Sequence, residues 1–470
     1  METGAETSSR PRRRALARTW SQLTAGAGAA LSMAVALAAG LPAEAATFTV
    51  TNLADSGAGS LRQAILDANS ASGADIVAFQ DGLTGTISLS LPLLVTDSLD
   101  IQGLGSAVIS VNGNDEFVVF ALNNNTPATP VNVMIAGLTI TGGSGVDGGG
   151  IVVSDESLTL DHVALIGNTA LFGGGLFFNG NSSHVTIQDS IISGNTAQNS
   201  GGGVNIDGNG GTVLFLRTLI SGNSAFLQGG GVWIDNASHD TIFEDSTISG
   251  NSARQGGGID LVDAEGGTHT IVNSTVAGNS ASQGGGIYLS NLLAGMTIQN
   301  STISGNTASA SGGGIFLNAG TAAVANSIVG DNSAPADDDL SSTTSAFALR
   351  FSLVEKPGAA NIADNGGNLL NQDPQLGPLQ NNGGPTPTQK PGAASPAVDA
   401  GDPAFIPPPS TDQRGFPRVS GGRLDMGSVE VESAPAFTPA VPALGDVGKV
   451  LLAALLGLGG LIGIRRRPVA

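Results

Sequence analysis

The stretch GGGVWIDNASHDTIFEDSTISGNSARQ, residues 229–255, is one copy of a unit that repeats through the middle of the chain. A Gly-Gly-Gly triplet returns at steps of 25, 28, 28, 27, 28 and 28 residues, beginning at Gly148, Gly173, Gly201, Gly229, Gly256, Gly284 and Gly312. An Asn followed by Thr/Ser-Ala recurs in the same register, at Asn168, Asn195, Asn223, Asn251, Asn279, Asn306 and Asn332. Two independent markers with one period indicate a stacked repeat architecture.

Each unit contains three short segments with the period of two that is typical of β-strands. The first follows the triplet and carries the apolar pairs Leu176/Phe178, Val204/Ile206, Val232/Ile234, Ile259/Leu261, Ile287/Leu289 and Ile315/Leu317. The second carries Ile187, Ile242, Ile271, Ile298 and Val324. The third has an aliphatic residue three positions before each marker asparagine. We therefore predict an all-β chain that forms a parallel β-helix, a solenoid with coils stacked about 4.8 Å apart.

The marker asparagines have a structural interpretation. Each one follows a turn residue, usually glycine, and we expect it to adopt a left-handed backbone there. Stacked coils would bring the side-chain amides into one column, where they can form a hydrogen-bonded ladder. A catalytic or glycan-acceptor role is the less favoured alternative for these asparagines.

We expect weaker coils to extend the stack backwards and a helix to close its end. Residues 99–103 and 134–140 have the same strand-glycine character, which gives roughly nine coils over residues 85–350. An open solenoid end exposes unpaired strand edges and needs a cover. Residues 60–70 are predicted to form that cover, a helix capped by Ser60. Its apolar face would consist of Leu61, Ala64, Ile65 and Ala68.

Both ends of the chain resemble targeting segments. Residues 1–46 read as a signal peptide, with Arg12–Arg14, an uncharged apolar stretch and a small-x-small site at Ala43-Glu44-Ala45. A retained membrane anchor is the alternative. Residues 433–470 contain Val441-Pro442-Ala443-Leu444, a short apolar run and three terminal arginines. We expect this tail to sit transiently in the membrane and to be processed by a sorting enzyme, with a simple membrane anchor as the alternative.

Four known types of segment resemble parts of this sequence. Residues 47–98, with Gly59-Ser60-Leu61-Arg62-Gln63-Ala64, resemble the N-terminal domain named for Cys-Ser-Leu-Arg-Glu-Ala, which occurs in bacterial surface proteins with right-handed parallel β-helices. The coils at 99–350 resemble repeats of polymorphic outer-membrane proteins. Residues 351–432, with Asp412-Gln413-Arg414-Gly415-Phe416-Pro417-Arg418, resemble the choice-of-anchor Q region. The tail resembles the sorting tails named for Ile-Pro-Thr-Leu. These resemblances imply a secreted, right-handed β-helix at the surface or outer envelope of a Gram-negative bacterium.

Composition restricts the chemistry and the partners. The formal net charge is −20, so an electrostatic affinity for nucleic acid is not expected. The chain has no cysteine and therefore no disulfide, thiolate ligand or thiol nucleophile. We expect no cofactor and no metal site. The histidines at 162, 184, 239 and 269 have no metal-ligand spacing and are expected in solvated loops.

One column of side chains is the candidate binding site. The residue between each inward pair of the first strand should point outward, and this column reads Val152, Phe177, Asn205, Trp233, Asp260, Tyr288 and Phe316. The aromatic members Phe177, Trp233, Tyr288 and Phe316 could stack on sugar rings or bind a protein partner. The alternative, which we favour, is that residues 351–430 fold back and cover this face.

The sequence predicts no catalytic residue. Asp207 and Asp235 occupy equivalent positions on adjacent coils, Glu244 and Asp245 share one strand, and Asp260 and Asp263 flank another. Basic partners are scarce, since only Arg217 and Arg254 fall in the regular coils. The sequence therefore favours a non-enzymatic, adhesin-like or envelope-structural protein that binds surface glycans or proteins. A polysaccharide lyase or glycoside hydrolase on the same scaffold is the alternative.

Overall fold

The computed structural model describes residues 45–180, 183–208, 211–235, 238–264 and 266–432. In this part of the chain the backbone winds into about 11 turns of a right-handed parallel β-helix, which confirms the predicted fold class. The stack is longer than the roughly nine coils expected. Strands before residue 85 and after residue 350 also join the sheets, so the solenoid extends past both expected limits.

Three long parallel sheets of 13, 12 and 10 strands run along the solenoid, and each pairs strands from successive turns. Sheet A consists of Thr47–Val50, Asp75–Phe79, Leu99–Gln102, Asn132–Ala136, Ser157–Asp161, Val185–Gln188, Thr212–Leu216, Asp240–Glu244, His269–Val272, Leu292–Gln299, Gly320–Ala325, Phe347–Arg350 and Ile362–Asp364. Sheet B consists of Gly85–Ser88, Ile109–Asn112, Thr139–Thr141, Ala164–Ile166, Ile191–Ser193, Leu219–Ser221, Thr247–Ser249, Thr275–Ala277, Thr302–Ser304, Ile328–Gly330, Leu353–Val354 and Leu369–Leu370. Sheet C consists of Leu93–Val95, Phe120–Leu122, Ile151–Ser154, Leu176–Asn179, Val204–Asp207, Val232–Asp235, Ile259–Val262, Ile287–Ser290, Ile315–Leu317 and Leu340–Ser342.

A fourth, less regular edge lies between sheet B and the next strand of sheet C. It follows each marker asparagine and ends at the glycine triplet. Its strands are Ser144–Asp147, Thr169–Phe172, Thr196–Ser200, Ser224–Ala225, Ser280–Gln283 and Thr307–Ser311. Single parallel bridges, such as Ser200 to Gln228 and Gln228 to Gln255, connect the intervening turns.

The interior is filled by the residues that the repeat predicted to point inward. The apolar pairs of sheet C and the aliphatic residues of sheet B are at most 1% exposed, which confirms both strands. In sheet A one assignment was wrong, because Phe243 and not Ile242 faces the core. Phe243 follows Gly229 at the same separation at which Phe215 follows Gly201, and the two rings stack with centroids 4.6 Å apart. The aliphatic character of Ile242 concealed this register.

The seven marker asparagines form a continuous hydrogen-bonded ladder. Each is at most 2% exposed. In the central coils Asn223 Nδ2 donates to Asn251 Oδ1 at 2.9 Å, and the backbone N–H of Asn223 donates to the same oxygen at 2.9 Å. Asn251 Nδ2 also donates to the carbonyl of Ile220 at 3.0 Å. The expectation of a left-handed asparagine was wrong, because the preceding residue, for example Gly250 at φ +65°, takes that conformation. A residue without Cβ adopts it with less strain than asparagine does.

A second ladder lies at the corner between sheets A and B, and the sequence reading missed it. Hydroxyl side chains stack there at Ser190, Thr218, Ser246, Ser274, Ser301, Ser327 and Ser352. The backbone N–H of Ser246 donates to Ser274 Oγ at 3.1 Å, and the N–H of Ser274 donates to Ser301 Oγ at 3.2 Å. Serine is so common in this chain that its column did not stand out as a signal.

The predicted helix and its cap are present. The helix spans Leu61–Ser70, and Ser60 Oγ accepts a hydrogen bond from the backbone N–H of Gln63 at 3.1 Å. Leu61, Ala64, Ile65 and Ala68 are buried against the first turns, as predicted. Apolar burial along one helical face therefore holds the helix on the solenoid. Within the described residues, no helix has both the length and the apolar character that a membrane span requires.

Residues 372–432, which we call the clasp, fold back along the outside of sheet B. Thr247 Oγ1 donates to the carbonyl of Pro387 at 2.6 Å, and Thr275 Oγ1 donates to Gln413 Oε1 at 2.6 Å. The backbone N–H of Ser428 donates to Thr302 Oγ1 at 3.0 Å. The outward threonines of three successive coils thus bind the clasp directly. Residues 1–44 of the signal peptide predicted for residues 1–46, and the whole sorting tail predicted for residues 433–470, lie outside the described residues.

Candidate functional site

The outward column of sheet C forms the floor of a trough. Its members lie in register on adjacent coils, and Trp233 pairs with Asp260, which in turn pairs with Tyr288. The first glycine of each triplet has a left-handed backbone, for example Gly201 at φ +71°, and the floor residue Asn205 donates through Nδ2 to the carbonyl of Ser200 at 3.4 Å, so that the fourth edge lies against this floor. A Cβ on Gly229 would come within 2.6 Å of Trp233 Cβ. Glycine at the first triplet position is therefore required for the close approach that shapes the trough.

Two rows of side chains form the walls of the trough. The fourth edge contributes the residues that precede each triplet, namely Asp147, Phe172, Ser200, Gln228, Gln255, Gln283 and Ser311. The ends of the sheet C strands contribute Asn179, Asp207, Asp235, Val262, Ser290 and Asn318. Between these walls a groove of about 300 Å³ is lined by residues that include Gln228, Trp233, Asp235, Gln255 and Tyr288. The glutamines went unnoticed in the sequence because they belong to the least regular part of the repeat.

The favoured prediction that residues 351–430 cover this column was wrong. That part of the chain does fold back, but its clasp binds the outward threonines of sheet B. The threonine hydroxyls offer hydrogen-bond partners at the surface of sheet B, whereas most of the polar atoms of the aromatic column are buried. The trough is sheltered instead by its own coils through the fourth edge.

Because the fourth edge covers part of the trough, the four predicted aromatic side chains differ in their exposure to solvent. Phe177 and Trp233 are half-buried, whereas Tyr288 and Phe316 are 7% and 5% exposed. The rings of Tyr288 and Phe316 stack on each other with centroids 5.3 Å apart and an angle of 1° between their planes. Such stacking stabilises adjacent coils. Trp233 is therefore the aromatic side chain of the groove with the most accessible surface.

Asp260 occupies an unusual position in the floor. It is 0% exposed, and neither carboxyl oxygen has a hydrogen-bond partner among the described residues. Burial, and secondarily the charge of Asp235, raises the pKa of Asp260 well above its ordinary value. Asn205 Oδ1 and Trp233 Nε1 in the same floor also lack partners in this part of the structure. Asn205, Trp233 and Asp260, at three successive floor positions, thus each have a buried polar atom without a hydrogen-bond partner among the described residues.

The other carboxylates considered as catalytic candidates are distributed over two surfaces. Asp207 and Asp235 pair in register on adjacent strands and form part of one trough wall. Asp263 also lines the groove and accepts a hydrogen bond from Asn291 Nδ2 at 2.8 Å. Asp245 instead lies under the clasp, where burial raises its pKa to about 6. The structure therefore separates the Glu244–Asp245 pair from the trough.

The histidines divide into two groups. His162 and His184 are exposed, but His239 and His269 are only 3% and 2% exposed, so the expectation of solvated loops was wrong for these two. His239 Nδ1 lies 3.1 Å from the carbonyl oxygen of Gly208, and His269 Nε2 lies 3.1 Å from that of Gly266. Burial lowers the pKa of both imidazoles. Both histidines lie at or just before the start of sheet A strands and contact backbone carbonyls of neighbouring loops.

A third cluster brings a histidine close to two carboxylates at the corner between sheets A and B. The candidate ligand atoms of Asp161, His162 and Asp189 all lie within 4.8 Å of one another. The Asp189 carboxylate is already paired with Arg217, with Arg217 Nη2 2.6 Å from Asp189 Oδ2. This ion pair lowers the pKa of Asp189 and supplies its counter-charge. We therefore assign no metal to the cluster.

One comparison with known proteins agrees with the architecture. The family described as right handed beta helix region matches residues 118–291 and 231–344. These two matches lie within the stacked coils and agree with the right-handed parallel β-helix described above. Its structure is similar to the crystal structure of pectate lyase Pel9A, with a TM-score of 0.48 and 14% sequence identity over 83% of this chain and 97% of that chain. A likeness of this strength carries no information on function. Comparison with curated proteins found no significant match.

Replacing Asp260 with asparagine tests the description of the trough floor. Because the pKa of Asp260 is higher in the folded than in the unfolded protein, the folded state holds its proton longer as pH rises. The free energy of unfolding should therefore fall as pH rises above about 4, and Asp260→Asn should reduce that fall and stabilise the protein at pH 7. Urea unfolding between pH 4 and 8 measures both effects.

The matched control is Asp207→Asn, the same chemical change at the half-buried rim of the trough. A surface change of this kind should alter the free energy of unfolding by no more than about 0.5 kcal/mol. If Asp260→Asn unfolds at a lower urea concentration than the wild type at pH 7, the carboxyl group is well satisfied and the description is wrong.

Proposed function

We propose that this protein is a non-enzymatic β-helix of the bacterial cell surface, with an adhesin-like or envelope-structural role, and that its trough binds a linear glycan. The groove lined by Trp233, Asp235 and Tyr288 carries this proposal. A half-buried indole supplies an apolar face for a sugar ring, and the neighbouring carboxylate and glutamines supply hydrogen-bond partners for hydroxyl groups. The trough also runs from coil to coil, which suits a repeating polymer better than a compact ligand.

The chemistry of the groove favours binding over catalysis. Among the described residues that line it there are two aspartates, Asp235 and Asp263, and no lysine, arginine or histidine. Elimination from a uronate polymer needs a group that neutralises the sugar carboxylate and a base that takes the proton. Hydrolysis needs an acid and a base that both reach the glycosidic bond. Asp260 has the raised pKa of an acid but is 0% exposed.

The alternative is a polysaccharide lyase or glycoside hydrolase on the same scaffold. The observation that favours it is the proximity of Asp235 and Asp260, whose charges interact and whose environments differ. Two carboxyl groups in unlike environments can divide the roles of acid and base. This reading requires the groove to open far enough for a substrate to reach Asp260.

A binding assay combined with a product assay separates the two functions. The purified protein should be retained by an insoluble glycan and should release no unsaturated or reducing ends from uronate polymers. Trp233→Ala should lose retention while its urea midpoint stays close to that of the wild type, because the indole is half-buried at the surface of the trough. Product formation that Asp235→Ala abolishes would reverse the assignment. If Trp233→Ala is retained by the glycan as well as the wild type is, the trough is not the binding site.

The surface location is a second part of the proposal and rests on the two ends of the sequence. Residues 1–46 supply the export signal, and residues 433–470 supply the segment that a sorting enzyme processes. Deletion of residues 441–470 should release the protein into the culture medium, as measured by immunoblotting of medium and envelope fractions. Envelope retention of the truncated protein would contradict the sorting role.

A further inference from the structure

The centre of the trough holds a carboxyl group between two aromatic side chains. Trp233, Asp260 and Tyr288 are consecutive floor residues on three adjacent coils. Coils lie about 4.8 Å apart, so the two aromatic positions are separated by about 10 Å with Asp260 midway. Trp233 and Tyr288 line the groove, whereas Asp260 lies buried beneath its lining. A ligand group lying above Asp260 would therefore have an aromatic side chain on either side along the solenoid axis.

The fold does not require the charge of Asp260. Burial of a carboxylate without a partner opposes folding, and Asp260 has no hydrogen-bond partner among the described residues. Asn205, two coils earlier, is also 0% exposed at the equivalent floor position. The repeat thus accepts a neutral side chain of nearly the same shape there. A carboxyl group that destabilises the fold, and that a neutral isostere could replace, is typical of a functional position.

The charges around the groove are predominantly negative. Asp235 and Asp263 line it, and the charge of Asp235 acts on Asp260. Arg254, next to Gln255 in the chain, is exposed. A cation in the groove would supply a counter-charge for the ionised form of Asp260, which has no partner in the fold. The flanking aromatic faces favour an organic ammonium group, which indole and phenol rings attract within about 6 Å of their centroids.

A metal ion fits this groove less well. Calcium takes six to eight oxygen ligands, as a rule from several carboxylates and carbonyls. Among the described residues, the cluster in which three potential acidic or histidine ligands converge is the one at Asp161, His162 and Asp189, at another corner of the solenoid. The trough instead combines a single fully buried carboxyl with aromatic neighbours. This donor set matches an ammonium ion.

We propose that the trough recognises a glycan that carries free primary amines, with the ammonium group of an amino sugar seated over Asp260 between Trp233 and Tyr288. This inference rests on the proposed glycan-binding function and specifies its ligand class. The sugar rings lie along the trough, with the half-buried indole of Trp233 as a stacking surface. Because Asp260 is 0% exposed, this seating requires the half-buried side chains of Gln228 and Gln255 to move aside.

Matched sugar oligomers test the ligand class. The probes are a hexamer of β-1,4-linked glucosamine and the fully N-acetylated hexamer of the same linkage, titrated into the purified protein by calorimetry at pH 6, where the free amines carry protons. We expect the glucosamine hexamer to bind at least about tenfold more tightly, since ion–carboxylate and cation–π contacts exist only for the charged form. Asp260→Asn should abolish this preference.

Asp115→Asn is the charge-matched control. Asp115 is exposed and has φ +60°, a conformation that asparagine also tolerates, and it lies about five coils, or about 24 Å along the stack, before Asp260. This variant should keep the wild-type preference, which excludes a general effect of net charge. Urea unfolding of Asp260→Asn checks that the fold is retained, and the comparison of the two hexamers on the wild type does not depend on any variant.

The outcomes separate the two proposals. Equal binding of both hexamers by the wild type, with affinity lost in Trp233→Ala, would overturn the amine specificity and leave glycan binding in place. A preference for the glucosamine hexamer that persists in Asp260→Asn would overturn the role of Asp260. Binding of neither hexamer, nor of any other linear glycan, would overturn the proposed function as well.

Discussion

The stacking of the coils depends on a place where the backbone has no room for a side chain. A Cβ on Gly202, the middle residue of its triplet, would lie 2.3 Å from the carbonyl oxygen of Gly230 on the next coil. Gly230 stands in the same relation to Gly257, at 2.4 Å. The glycines allow one coil to donate backbone hydrogen bonds directly to the next. Beside them, the buried asparagine ladder continues the same axial pattern through side chains.

This constraint explains which features could be predicted from the sequence. The glycine and asparagine columns and the inward residues of sheet C must recur in every coil, so their period revealed the fold. Phe243 escaped prediction because the loop before its strand varies in composition, so that Ile242 was an equally plausible core residue. Periodicity specifies only what every coil shares.

The position of the clasp and the burial within the candidate site could not be predicted from the repeat, for related reasons. The clasp is not repetitive, and its hydrogen bonds join positions far apart in the chain, such as Gln413 with Thr275. No local pattern could show that it binds sheet B and not sheet C. The aromatic column was readable because it alternates with core residues. The complete burial of Asp260 could not be predicted from the sequence, because it depends on the fourth edge folding over the trough floor.

The proposed binding site lies where the coils differ from one another. The glycines and asparagines that recur in every coil serve the stacking of the coils. The floor residue of the trough, in contrast, changes from Phe177 to Asn205, Trp233 and Asp260 on successive coils. Variation along an otherwise regular solenoid creates one distinctive place on a repetitive surface. The solenoid thus acts as a rigid support that fixes the spacing of these side chains at one coil each.

The central claim is that axial hydrogen bonds through the asparagine ladder hold the coils together, and Asn251→Ala tests it most directly. The change removes the acceptor of the Asn223 N–H and leaves the Ile220 carbonyl without its side-chain donor. The free energy of unfolding in urea should fall by about 1–3 kcal/mol, and the Asn223 amide should lose protection from hydrogen exchange. Asn132→Ala, at an exposed strand position, should change neither quantity. An unchanged urea midpoint for Asn251→Ala, with the Asn223 amide still protected, would contradict the account.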